Sequence, residues 1–256
     1  MEEKNTLNFV KEVLKNMPID WLNLTTHRLD IYNESLAKTE FLEQFEALLN
    51  NNNTDVSALS ELPTAFDYIR LGHPLSCIME WGVAKLNNLK AENVINFSSK
   101  TIPVLAILRK NLLEKKTTQI IYSEKLPSIF EGNTLNEIYG YNFELKKINN
   151  TSEIEAFNGS TILLSEQENI CDFSTIPNVD FYLNTNSSLG SILLVTEKNS
   201  NYVSEIQHVR RRETIAMTPA NTLIALQQLT GNTAESQTNN RAENKASVVN
   251  SIKEIT

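Results

Sequence analysis

Residues 94–103, VINFSSKTIP, run from an apolar strand through two serines into a helix. A handover from strand to helix within so few residues is the opening of a βα unit, and it sets the reading of the chain on either side. The helix start would present unpaired N–H groups and the positive end of its dipole just beyond the serines, an arrangement that suits a phosphate. Such turns usually carry a glycine after the serines, and here that position is Lys100. Ser98, Ser99, Lys100 and Thr101 therefore form a candidate phosphate site, with hydroxyls and amides as donors and Lys100 adding a charge. The plainer reading is a serine N-cap pair ahead of a solvent-facing lysine.

Working outward, the pattern alternates. Residues 72–89 read as a helix, 93–97 as a strand, 102–116 as a helix and 117–123 as a strand. A helical or irregular piece at 128–140 precedes strand 143–149, a short helix 151–157 and strand 160–166. Residues 179–184 and 191–198 read as further strands, and 200–213 and 218–229 as closing helices, the last with Thr218 as N-cap and Pro219 at the first position. Strands alternating with helices predict a three-layer α/β/α fold on a mostly parallel sheet. Before it, Leu7, Val10, Val13, Leu14 and Met17 fall at helical spacing, and Leu42, Phe45, Leu48 and Leu49 share a face of a second helix. The expected division is a helical N-terminal region at 1–60, an α/β domain at 61–230 and a polar tail at 231–256, read as disordered with one helical turn at 248–252.

Composition excludes several classes. Of 256 residues 41% are hydrophobic and 21% charged, as in ordinary globular proteins, and the net charge is −8. That balance argues against nucleic acid, since no basic run exceeds Arg210, Arg211 and Arg212. Cys77 and Cys171 make neither a disulfide framework nor a zinc site, and no stretch has transmembrane length, so no metal and a cytoplasmic location are expected. Seven glycines are under half the usual ~7%, which leaves little material for an elaborate cofactor loop.

Other reactive side chains have bland readings. His73 has no positioned partner, and a structural or surface role suits it better than acid/base work. The two cysteines read as buried inert thiols. The arginine run reads as the solvated end of a helix, and Glu124, Lys125 and Glu131 as polar loop residues without a shared geometry.

The order of segments resembles the α-oxoamine synthases, 8-amino-7-oxononanoate synthase-like enzymes of the pyridoxal-phosphate (PLP) aminotransferase class I/II fold. GHPLSCIME at 72–80 is similar to the family's GTHPLHEELE, and FSSKT at 97–101 to its FSSGY. SEKLPSIFEG at 123–132 is similar to DELNHASIIDG, NTNSSLGS at 184–191 to GTFSKALGS, and 215–229 to the helix FSTALPPAVAAAALAAL. The likeness spans about residues 62–230 and implies the large domain of a PLP enzyme.

The departures fall on the chemistry. The resemblance places the Schiff-base lysine at Ser187 or Ser188, the ring-stacking histidine at Leu126, a second histidine at Ser76 and the turn glycine at Lys100. The acidic segment that pairs with the pyridine nitrogen has only NICDFSTIPNVD, 169–180, in its place. A serine forms no aldimine. The expectation is a degenerate, truncated pseudoenzyme with no cofactor, acting through protein contacts as a homo-oligomer or as the partner of an active PLP enzyme. Serine palmitoyltransferase resembles that arrangement in having one subunit without the lysine. The alternative is a residual PLP-dependent acyltransferase or phosphorylated-ligand binder, using Ser98 to Thr101 or an amine relocated to Lys100 or Lys125.

Overall fold

The computed structural model describes residues 2–23, 34–63, 65, 68–131 and 133–231. The polar tail expected after residue 231 lies outside them, as does His27. The elements are α1 (Glu2–Asn16), α2 (Glu34–Asn50), α3 (Val56–Ser60), α4 (Pro74–Leu86), β1 (Val94–Phe97), α5 (Ile102–Leu113), β2 (Thr118–Tyr122), α6 (Thr134–Tyr139), β3 (Phe143–Lys147), β4 (Ser160–Glu166), β5 (Phe181–Asn186), β6 (Gly190–Val195), α7 (Val203–Glu213) and α8 (Pro219–Leu229).

The strands form one sheet in the order β1-β6-β5-β4-β2-β3. β3, β2, β4 and β5 are mutually parallel, while β6 runs antiparallel to both β5 and β1. The antiparallel strand follows from the turn at Ser187–Leu189, which is too short for a crossover and folds β5 straight back into β6. Strand alternation divides the core between two faces. Ile95, Phe97, Ile120, Leu183 and Leu193 face α5 and α7, whereas Val94, Ile121, Tyr182, Ile192 and Leu194 face α1, α2, α4 and α8. Helices thus cover both sides, giving the α/β/α layering, and the helical N-terminal region packs into one of those layers. Phe9, Phe41, Phe45 and Trp81 join α1, α2 and α4 through a chain of aromatic contacts.

One expected element takes a different form. The short helix at 151–157 is a single 3-10 turn, Thr151–Glu153, capped by Asn150. The chain turns extended at Ile154, whose side chain is buried among the core residues instead of continuing the helical turn. The parallel connection from β4 to β5, residues 167–180, contains no helix. Ile170, Cys171 and Val179 from this loop cover the sheet face directly, and the Tyr182 hydroxyl pins the loop by donating to the Ile176 carbonyl at 2.6 Å.

β1 is an edge strand, yet all four of its residues are buried. Its outer edge is closed by side chains. Glu80 of α4 accepts from the Asn96 amide at 2.9 Å, and Arg210 of α7 donates to the Asn96 carbonyl at 3.1 Å. Helices from opposite faces of the sheet therefore meet around this edge, where bare strand groups would otherwise invite pairing with another chain.

Candidate functional site

The two segments singled out in the sequence come together at one end of the sheet. β1 ends in the turn Ser98–Thr101 that opens α5, and beside it lies the β5–β6 turn carrying Ser187 and Ser188. The Ser191 hydroxyl donates to the Ser99 carbonyl at 2.6 Å and bridges them. Gly190, at φ +126°, packs so tightly that a Cβ there would lie 2.3 Å from the Phe97 carbonyl oxygen. Asn221 of α8 donates to the Ser188 and Leu189 carbonyls at 3.2 and 3.1 Å, so the first turn of α8 closes the group. Thr218 caps that helix, accepting from the Asn221 amide at 3.3 Å.

Two donors of the first turn are already engaged. The Ser99 hydroxyl accepts from the Thr101 and Ile102 amides at 3.3 and 3.2 Å, and Pro103 has no N–H to offer. Ser98 is tied through both its amide and its hydroxyl to the Ile215 carbonyl. Lys100 is half-buried. On the neighbouring turn, Ser187 is exposed and the Ser188 hydroxyl donates to Asn186 at 2.9 Å. Among the described residues no hydrogen bond joins either serine to a histidine, lysine or carboxylate, the groups that would activate a nucleophile.

The other positions matched to PLP-site residues lie in structural roles. Leu126 is buried in the core with α5 and α7. Ser76 and His73 form a reciprocal cap at the start of α4: the Ser76 amide donates to His73 Nδ1 and the Ser76 hydroxyl accepts from the His73 amide. With Nδ1 accepting, Nε2 carries the proton and donates to the Met217 carbonyl at 2.8 Å. Burial lowers the imidazole pKa to about 4 and keeps it neutral, so His73 is a structural group. In the loop that replaces the acidic segment, Asp172 is exposed. Asp180 sits at the start of β5, at the far end of that strand from Ser187, held by the Thr161 amide at 2.8 Å and Lys198 at 2.7 Å. Glu124, Lys125 and Glu131 are exposed loop residues. Both cysteines are buried free thiols, and burial pushes Cys77 up to about 12 and Cys171 upward too. Among the described residues no cluster of His, Cys, Asp and Glu could hold a metal, and no helix is long and apolar enough to cross a membrane.

The arginine run departs from its expected place. It is solvent-facing at Arg211 and Arg212, but Arg210 is buried. Its Nη1 donates to Glu80 at 2.9 Å and its Nη2 to the Leu71 carbonyl at 2.7 Å. Glu80 also accepts from Lys38 Nζ at 2.6 Å and from the Asn96 side chain at 2.6 Å, and Asn96 in turn accepts from the Met217 amide at 2.7 Å. Burial alone would raise the Glu80 carboxyl, but Lys38 and Arg210 outweigh it and hold it below the ordinary carboxylate range. Two sequence signals point to this network. Glu80 is a lone acid in an apolar helix, and Arg210 falls on the stripe of Val203, Ile206 and Val209.

No protein-family model matches the chain, and no curated protein matches it. Among solved structures, metB from Corynebacterium glutamicum is similar over 66% of this chain and 54% of its own, at 13% identity and a TM-score of 0.42. Cystathionine gamma-lyase from yeast is similar over 87% of this chain and 62% of its own, at 11% identity and a TM-score of 0.48. The chain thus spans less than two thirds of either structure.

Proposed function

We propose that the chain is a catalytically inactive relative of the PLP-dependent α-oxoamine synthases that works in the cytoplasm as a structural or regulatory subunit, through protein contacts. The observation that carries this reading is the β5–β6 turn: the position that the resemblance assigns to a Schiff-base lysine is Ser187 or Ser188, and Ser188 is spent on Asn186. The neighbouring turn supports the same reading, since the Ser99 hydroxyl already takes up the Thr101 and Ile102 amides. Fold alone does not carry chemistry once the site has gone. Large apolar side chains exposed at the end of α6, just before edge strand β3, Ile138 at 68% and Tyr139 at 57%, favour a protein partner.

The test has two arms. Purified protein mixed with PLP is expected to give no aldimine absorbance band and no adduct after borohydride treatment; a trapped adduct, at Lys100, Lys125 or elsewhere, overturns the reading in favour of a residual PLP enzyme. A pull-down from the native source, read by mass spectrometry, is expected to recover a lysine-bearing PLP enzyme or a second copy of the chain, and recovery of neither counts against a subunit role.

A further inference from the structure

A second region owes nothing to the serine turns. A cavity of about 720 Å³ opens at the outer edge of β1, between α2, α4 and α7. That volume is in the range of small-molecule sites. Lys38, Trp81, Gln207 and Arg210 contribute to its wall, and Arg70 and Lys90 stand exposed at its margin.

The charge at its base does not balance. Lys38, Glu80 and Arg210 are 9%, 2% and 5% exposed, and the Glu80 carboxylate lies between the two cations at 2.6 and 2.9 Å. Among the described residues, two buried positive charges thus share one negative charge. Their remaining bonds go to uncharged carbonyls, Lys38 to Ala91 and Arg210 to Asn96 and Leu71. Arg210 Nε is buried with no hydrogen-bond partner. Among the described residues the acids in the lining, Glu43, Glu46 and Glu92, are exposed, and Glu46 is already bonded to the Trp81 indole at 2.7 Å. A buried charge without a counter-charge is costly, and low-dielectric walls focus its field into the cavity.

We propose that this cavity binds a small polyanion, a molecule bearing phosphate or carboxylate groups, whose negative charge completes the Lys38–Glu80–Arg210 triad. The site is independent of the subunit role above and of the turn at Ser98–Thr101.

Isothermal titration of the full chain with pyrophosphate and, separately, with citrate tests this. Saturable binding of at least one is expected, and which one responds tells phosphate from carboxylate chemistry. Lys38→Met leaves Glu80 and Arg210 as a balanced pair and should weaken binding about tenfold, the loss of one charge-assisted contact. Should that variant not fold, Arg70→Ala combined with Lys90→Ala, both exposed, should also weaken binding. Lys100→Ala, at the serine turn, should leave it unchanged. No binding of either anion at millimolar concentration, affinity undiminished in the folded cavity variants, or loss of binding in Lys100→Ala would overturn the proposal.

Discussion

Arg210 and Glu80, 130 positions apart in the chain, pair at 2.9 Å around the open edge of β1 and join helices from opposite faces of the sheet. Removing Glu80 leaves two buried cations without their anion, whereas removing Arg210 leaves Glu80 paired with Lys38, and either change unbinds an Asn96 backbone group. Glu80→Ala is therefore expected to cost about 3–5 kcal/mol in urea unfolding, and Arg210→Ala less, because Lys38 still balances Glu80. Arg211→Ala and Arg212→Ala, on the exposed face, should stay within about 0.5 kcal/mol.

Acid should act on His73. Its pKa is lowered from 6.5 to about 4 by burial, so in that interval the unfolded chain binds a proton that the folded chain refuses. Stability from this group is complete above pH 6.5, declines as pH falls towards 4 and then levels off, for roughly 3 kcal/mol in all. Glu80, with its folded pKa depressed, adds a loss of the same sign that begins as pH falls through the ordinary carboxylate range and is complete below its own folded pKa. His73→Asn keeps a capping side chain, and subtracting its pH–stability curve from that of the parent should isolate the His73 slope.

Gly190 cannot carry a side chain. Its φ of +126° opposes one, and so does the Phe97 carbonyl oxygen, only 2.3 Å from where a Cβ would fall. Gly190→Ala should cost about 2–5 kcal/mol. Gly140→Ala is the control, because Gly140 is also left-handed, at φ +70°, but has open space around it, and about 1–2 kcal/mol is expected. Denaturant midpoints compare the two.

The thiols should be silent. Cys77 is fully buried and pushed up to about 12, and Cys171 donates weakly to the Ala225 carbonyl at 3.6 Å. Neither should react with a disulfide reagent in the native protein, and two equivalents should appear on adding denaturant. Fast labelling of either thiol in buffer would contradict its packing.

The α/β pattern is legible in the sequence because buried strands and capped helices are local signals: VINF, TQIIY and STILLSE are apolar runs, and Thr218–Pro219 announces α8. The adjacency of Ser99 and Ser191 is not, since it depends on β6 pairing with β1 across the sheet. Arg210 escapes a reading of its run as one surface, because helical geometry turns only the first of the three arginines inward. Lys38 carries no signal at all: its burial is decided by where Glu80 and Ala91 arrive from other elements.

The closing of the β1 edge also bears on the order of assembly. β1 has β6 on its inner side and the Glu80–Arg210 fork on its outer side, and of these only Glu80 precedes it in the chain. β2, β3 and β4, by contrast, find their neighbours within about one βα unit of themselves. On a ribosome the parallel strands can therefore register first, while β1, synthesised before any of them, waits unpaired. Such long-range closure is slow and leaves apolar strand exposed in the interval. VINF, the stretch most readily recognised as a strand, has no strand to pair with until β6 has been made.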